Sequence, residues 1–575
     1  MSPFAILKKV KEGDGMKTIS IGKQNFASLR EQDYFYIDKT GFIKEWWESG
    51  DEITLITRPR RFGKTLNMTM LECFFSNAYA GRGELFEGLS IWREEKYRRL
   101  QGTCPVVFLS FADVKANTCS GVIFQMKNKI TALYNQYDFL LDSDCLNPME
   151  KAQFAGISWQ MDDETAATAL QTLMGYLSRY YGKKIIVLLD EYDTPMQEAY
   201  LGGYWTELTS FFRILFNATL KTNPYLERGL MTGITRVSKE SVFSDLNNLK
   251  VVTTTSESYA MAFGFTEEEV YGALDEAGLS GEKEEVRFWY DGFTFGSCQD
   301  IYNPWSITNF LKEKEYSPYW ADTSSNGLVD RLIRQGDVGV KQTMEELLAG
   351  KAVCTQLDEQ IVFDQLDGSV KALWSMLLAS GYLKVAGYTK NLRTRQKVYE
   401  LKLTNFEVEL MFEKMIAAWF DGQNTRYQDF VKALLKGNLE EMNYYMNKVA
   451  LATFSTFDSG NQPSEQAEPE RFYHGFVLGL LVERRDDYLV TSNRESGLGR
   501  YDVVMKPLRR ELPAIVMEFK VRNPDKEASL LDTVAAAHRQ MQEKNYDAGL
   551  LAEGIARERI FHYGFAFQGK QVLIG

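Results

Sequence analysis

The run Glu52–Thr57, then a basic turn through Phe62, then Gly63-Lys64-Thr65, constrains this chain more than any other stretch. Its apolar and β-branched residues predict a strand over 52–57, and apolar periodicity predicts a helix from about Thr65 to Phe75. A glycine, a lysine and a hydroxyl between a strand and a helix make the context of a phosphate-binding loop. Backbone N–H groups at the helix start point at phosphate oxygens. Gly63 lets the backbone come close, the Lys64 ammonium can reach β- and γ-oxygens, and the Thr65 hydroxyl can ligate Mg²⁺. The pattern GxxxxGK[ST] has its first glycine where this chain has Arg58. Arg58, Arg60 and Arg61 either add positive charge near the phosphates or form a solvated basic loop.

A second motif gives the first its meaning. Lys184–Leu189 is an apolar strand running into Asp190 and Glu191. In P-loop ATPases such a strand is expected beside the strand of the loop. Asp190 would then hold Mg²⁺ and Glu191 would polarise the attacking water. Further strands are expected over Pro105–Ser110, Arg228–Ile234 and Lys250–Thr255. Buried strands alternating with helices predict a doubly wound, mostly parallel sheet. The strand at 228–234 leads into Thr235-Arg236. Arg236 is either a sensor of the γ-phosphate or a surface arginine.

Four stretches together carry a resemblance: Tyr36–Thr40, Arg58–Thr65, Leu188–Asp193 and Thr232–Arg236. They resemble the predicted AAA-ATPase-like family of bacterial proteins, whose members often carry a C-terminal nuclease-like domain. In that family an arginine at the first P-loop glycine is the usual residue. The motifs Tyr290-Asp-Gly-Phe293 and Tyr302-Asn-Pro-Trp-Ser306 fit the same pattern and read as packed turns joining lid helices. The resemblance implies ATP as the nucleotide and says nothing of a substrate.

The C-terminal stretch holds a second constellation. Strands are expected over Tyr488–Ser492, Tyr501–Lys506 and Ala514–Val521, near Ala548–Leu551 and over Ile560–Phe567, with helices over Phe472–Val482 and Lys526–Lys544. Asp502 stands on one strand; Glu518 and Lys520, separated by Phe519, share a face of the next. Two carboxylates and a lysine on one face suit an Mg²⁺-dependent phosphodiesterase, with Mn²⁺ as an alternative metal. The same residues also suit a surface ion pair across a sheet. The order of elements and the pattern D…ExK resemble the PD-(D/E)XK nuclease superfamily. By that resemblance Asp502, Glu518 and Lys520 form the triad, Glu495 supplies a further metal ligand, and Gln540 takes the place of a polar helper on the following helix. His474 and His538 read as structural histidines rather than ligands.

Composition narrows the partners. The chain has 66 basic and 78 acidic residues and a net charge of −12, so it is no bulk nucleic-acid coat. Residues 500–575 alone hold 12 Lys/Arg against 10 Asp/Glu, a balance of +2 that permits phosphate contact. Six scattered cysteines without a CxxC pair, and three histidines, argue against structural zinc and for reduced thiols. No signal-peptide-like start and no run of ~18 apolar residues is evident, so a cytoplasmic protein without a membrane span is expected. The polar stretch Ser459–Glu470, with its two prolines, reads as an exposed loop.

The expected fold is α/β. A P-loop NTPase sheet would occupy 1–255, a helical lid and connecting region 256–458, and a restriction-endonuclease-like α/β domain 459–575. The expected function is an ATPase coupled to a nuclease acting on nucleic acid, with DNA preferred as substrate and homo-oligomerisation left open. The competing expectation is a nucleotide-dependent switch, or a plain ATPase, whose nuclease-like domain only binds nucleic acid or a partner.

Overall fold

Five strands form the sheet on which the phosphate loop stands: β1 (Ile53–Thr57), β2 (Val106–Ser110), β3 (Ile185–Asp190), β4 (Leu226–Gly233) and β5 (Leu249–Val252). Their order is β2-β3-β4-β1-β5, and every pairing is parallel. All five residues of β1 and all six of β3 are buried, as expected of central strands covered on both faces. Helices cross between the strands: α1 (Lys64–Phe75), α2 (Cys119–Asn135), α3 (Asp163–Tyr181) and α4 (Trp205–Leu220). The computed structural model describes residues 16–235, 243, 246–323, 327–335, 338–348, 350–357, 369–390, 393, 396–421, 427–454, 487–492, 495–496, 499–500, 503–509, 511–524, 526–568 and 571–575. The described fold is α/β throughout, with two compact units, Met1–Glu409 and Leu410–Gly575.

One sequence expectation is corrected here. The strand ending in Asp190 is not beside the strand of the phosphate loop, because β4 lies between them. Strand order is a tertiary property that neither strand's own residues encode. The insertion lets a side chain of β4 reach the acid on β3.

The rest of the first unit is helical, with two small sheets. Strands β6 (Phe265–Thr266), β7 (Phe293–Phe295) and β8 (Cys298–Tyr302) pair in the order β6-β8-β7, and α5 (Pro304–Glu313) follows. Strands β9 (Val353–Thr355), β10 (Leu383–Lys390) and β11 (Lys397–Leu403) pair in the order β10-β11-β9. Helix α6 (Phe406–Asp421) follows β11.

In the second unit, α7 (Leu439–Phe454) precedes a mixed sheet. Its strands are β12 (Tyr488–Ser492), β15 (Val503–Pro507), β16 (Ala514–Val521), β17 (Ile560–Gln568) and β18 (Gln571–Ile574), paired in that order. A small hairpin, β13 (Glu495–Ser496) with β14 (Gly499–Arg500), forms a two-stranded sheet of its own. Only β16 and β17 run parallel, joined across α8 (Leu530–Glu543) and α9 (Ala548–Ala552). The expected strand near Ala548–Leu551 is therefore a helix. A four-residue apolar run cannot choose between the two periods by itself. Here Tyr546 and Leu550, four apart, are both buried in the cluster with Met541 and Ile560. The helix expected over Phe472–Val482 lies outside the described residues.

The outer edge of β18 is closed by side chains. Asn443 and Asn447 of α7 each use both ends of their amide on it. Asn443 donates to Ile574 O and accepts from Ile574 N, both at 2.7 Å. Asn447 donates to Val572 O at 2.6 Å and accepts from Val572 N at 2.9 Å.

Candidate functional site

The loop between β1 and α1 begins at Arg58, whose N–H donates to Gly233 O and so prolongs the β1–β4 ladder. It ends at Gly63, which caps α1 with φ +77°, a left-handed conformation that favours glycine. Lys64, the first residue of α1, is 3 % exposed. Its ammonium crosses the loop and donates to the carbonyls of Arg58 at 3.1 Å and Pro59 at 2.9 Å. Burial holds this ammonium below the usual lysine range, and Glu191, Asp193 and Asp190 pull it partly back.

Thr65 turns its hydroxyl to the acid at the end of β3 and donates to Asp190 Oδ2 at 2.8 Å. Thr232 of β4 donates to the other oxygen, Oδ1, at 2.6 Å. Asp190 is fully buried. Burial pushes its carboxyl above the usual range, and the Thr232 and Thr65 hydroxyls hold it back. Glu191 leaves the strand with φ +52° and its N–H rests on Thr232 Oγ1 at 3.4 Å. A left-handed non-glycine costs about 1–3 kcal/mol, and such residues concentrate at functional sites. Asp193, also buried, accepts from the N–H groups of Ile234 (2.9 Å) and Thr235 (2.8 Å) and from Thr235 Oγ1 (2.9 Å). It thereby fixes the chain that leaves β4.

Lys64, Thr65 and Glu191 line one cavity of ≈ 570 Å³ together with Arg60 and Arg61. Arg60 donates to Gln197 Oε1 at 3.3 Å. Arg58 departs from expectation. Its side chain turns into the protein, fully buried, and its guanidinium donates to Thr57 O (2.9 Å), Thr253 O (2.8 Å) and Tyr259 O (3.3 Å). It also stacks on Phe295 at 4.5 Å from the ring centroid. Burial lowers its pKa to about 9. Arg58 is thus a buried brace rather than a phosphate-facing charge, because carbonyls and an aromatic face await it inside. Arg236 lies outside the described residues.

Sequence reasoning assigned no role to Thr232 or Asp193, although both stand in the motif runs it singled out. Their signal was a hydroxyl at a strand end and a third acid after Asp190-Glu191.

In the second unit Glu518, 2 % exposed, sits on β16 with Lys520 two residues on. Lys520 Nζ lies 3.8 Å from Glu518 Oε1 and donates to Gln540 Oε1 at 2.6 Å. Gln540, on α8, donates from its amide to Glu518 Oε1 and to the Tyr546 hydroxyl, the latter at 3.1 Å. An acid, a base and an amide therefore meet on one face of the sheet. Asp502 lies outside the described residues; β15 is described from Val503, which pairs with Met517. Glu495 stands in β13, paired with Arg500. His538 meets Gly575 O at 2.9 Å, and His474 lies outside the described residues. Among the described residues no three His, Cys, Asp or Glu side chains gather as a ready metal cluster.

Comparison with known proteins agrees with the two kinds of domain. Residues 20–243 match the family described as "Predicted AAA-ATPase", and residues 468–575 match the PD-(D/E)XK nuclease superfamily. A curated relative, "Uncharacterized protein in vnfD 5'region" of Azotobacter chroococcum mcd 1, is 29% identical over 400 residues, covering 68% of each chain. A solved structure, "Structure of Drosophila ORC bound to AT-rich DNA and Cdc6", aligns over 68% of this chain and 93% of that chain at 10% identity. Its TM-score of 0.17 is too low to equate the folds. Among the described residues no helix is long and apolar enough to cross a membrane. The chain carries a predicted AAA-ATPase-like domain over residues 20–243 and a PD-(D/E)XK nuclease superfamily domain over residues 468–575.

Proposed function

We propose that the first domain binds and hydrolyses ATP·Mg²⁺, and that the second cleaves nucleic acid, DNA foremost, with a divalent metal. The observation that carries the first half is the placement of Lys64, Thr65 and Asp190 around one loop, with Lys64 and Thr65 lining the cavity and Thr65 bonded to Asp190. The donor set fits the ligand: a buried carboxylate tied to a threonine hydroxyl is short of a cation, and a lysine ammonium faces the loop. Thr65 and Asp190 would hold Mg²⁺, which supplies charge neutralisation between the phosphates. Lys64 would exchange two carbonyls of its own loop for phosphate oxygens. Arg60 and Arg61 would add charge at the cavity wall, and Glu191 would accept a proton from the attacking water. Arg236 would sense the γ-phosphate.

In the second domain Glu518, with Asp502 and Glu495, would hold the metal, Mg²⁺ or Mn²⁺. Lys520 would orient or deprotonate the nucleophile. One feature favours a second reading. Gln540 engages both Glu518 Oε1 and Lys520, holding the two side chains together through its amide. That suits a domain that only binds nucleic acid or a partner, with ATP acting as a switch. Calorimetry and cleavage assays separate the readings. Lys64→Ala should weaken ATP·Mg²⁺ binding strongly, while Glu191→Gln should bind normally and hydrolyse slowly. Cleavage of single- or double-stranded DNA or RNA should require Mg²⁺ or Mn²⁺ and vanish in Asp502→Ala. Equal ATP affinity in wild type and Lys64→Ala refutes the nucleotide site; absence of any metal-dependent cleavage, with or without ATP, selects the binding reading.

A further inference from the structure

The phosphate loop has a glycine only at Gly63, yet its residues are held at almost every position by chain that comes much later. Arg58 is braced by the carbonyls of Thr253 and Tyr259. Pro59 abuts Gly381 so closely that a Cβ there would lie 2.9 Å from the proline ring. The carbonyl of Arg60 accepts from two side chains at once, Trp320 Nε1 at 3.0 Å and Asn303 Nδ2 at 3.4 Å. The guanidinium of Arg61 stacks on Trp305 at 4.3 Å from the ring centroid. The Phe62 ring meets Phe293 at 4.7 Å and Phe295 at 5.4 Å, edge to face.

The two donors to Arg60 are themselves fixed. Asn303 is fully buried and caps α5 by accepting from Trp305 N at 2.8 Å. Trp320 is 1 % exposed, and its backbone N–H donates to Glu407 Oε1 at 2.5 Å. Glu407 is a fully buried carboxylate on α6 that also accepts from Ser306 Oγ at 2.9 Å. One buried acid thus ties both the Asn303–Ser306 turn and Trp320 in place. Arg61 meanwhile adopts φ +64°, an unfavourable conformation for a residue with a side chain. A strained arginine persists only where its surroundings impose the shape, and Trp305 and the Arg60 carbonyl contacts flank it.

We propose that Asn303, Trp305 and Trp320 are positioning residues of the nucleotide site: they hold the phosphate loop in its binding shape in place of glycine-rich turn geometry. This rests on the ATP reading above. A loop held ready spends no ordering entropy when a nucleotide arrives, so the clamp acts on affinity. None of the three is assigned to the phosphates, the metal or the attacking water, so the clamp should leave the chemical step alone, although Trp305 lines the same cavity. The turn at 302–306 and the tryptophan at 320 are then parts of the ATPase site, although they lie far from the loop in sequence.

The test uses the full-length protein and Trp320→Phe, which removes one N–H and keeps an aromatic ring, alongside Trp305→Leu. Calorimetric titration with ATP·Mg²⁺ should show affinity reduced about five-fold in Trp320→Phe, the scale of one lost hydrogen bond. Steady-state hydrolysis should show KM raised and kcat unchanged in both variants, a split that general damage to the fold does not give. Hydrogen exchange without nucleotide should speed up across residues 58–63 and stay unchanged in β1 and β3. Wild-type affinity in both variants, or unchanged exchange at 58–63, overturns the proposal. A kcat loss at constant KM overturns it as well, because it assigns these residues to chemistry. A wild type that binds no nucleotide overturns the ATP reading and this inference with it; that failure shows in the unaltered protein and so is told apart.

Discussion

Thr232→Val should weaken ATP·Mg²⁺ binding by about one to two powers of ten near neutral pH. The substitution is nearly isosteric and stays β-branched, so β4 keeps its side-chain shape. What it removes is the shortest hydrogen bond to Asp190, at 2.6 Å, from a carboxylate with no exposure to water. Hydrogen bonds to charged groups contribute about 1.5–3 kcal/mol, which sets the expected range. The remaining close donor, Thr65, is the residue expected to turn toward the metal, and Ser110 stands off at 3.5 Å. Losing Thr232 should push the already raised Asp190 carboxyl higher still. A raised carboxyl is protonated over more of the acid side, and metal binding needs it ionised. The deficit should therefore be largest at low pH and shrink as pH rises. Titration of Thr232→Val and Thr232→Ser with ATP·Mg²⁺ from pH 6 to pH 9 checks this, since serine keeps the donor and should stay near wild type. A valine variant whose affinity matches wild type at every pH would refute the reasoning.

Two further outcomes are expected. Asp291, beside Asp300 and 3.7 Å from Arg287, has its pKa raised to about 7 by burial and then by Asp300. Its folded value lies above its unfolded one, so its contribution is full below about pH 4 and lost as pH rises through 7. Asp291→Asn should flatten the fall of the first unit's unfolding free energy between about pH 4 and pH 7, by about 1–2 kcal/mol after discounting for solvent at the pair; parallel curves would count against it. Gln540→Leu should cut Mn²⁺ affinity at the second domain about 10–100-fold, the usual effect of losing an outer-sphere partner, and an unchanged calorimetric titration would remove Gln540 from the site.

What the sequence showed depended on how local the cause was. The strands over Ile185–Asp190 and Ala514–Val521 were legible because apolar runs lead into chemically marked residues, and the strand over Ile53–Thr57 because its apolar and β-branched residues lead into a basic turn. Lys64, Thr65 and Asp190 could be grouped because the loop and the acid each have local context. The direction of Arg58 was not legible, since the carbonyls that hold it come from Thr253 and Tyr259, far along the chain. The interposition of β4 was hidden for the same reason, and with it the part played by Thr232. Ala548–Ala552 was misread because so few residues fit either period, and burial of Leu550 beside Tyr546 decided it. The strands β9 and β10 were missed in a region whose helical neighbours dominate the pattern.

The two asparagines of α7 bear on where this protein can be cut. Four residues along a helix advance about 6 Å, close to the span of two residues along a strand, so Asn443 and Asn447 meet Ile574 and Val572 in register. Their amides serve β18 as a neighbouring strand would. A fragment starting at residue 468, where the nuclease superfamily match begins, leaves α7 behind. Four backbone groups of β18 would then face solvent as an open template, and strand-to-strand association between copies becomes the expected fate. Fragments that start before Leu439 should stay monodisperse where shorter ones self-associate.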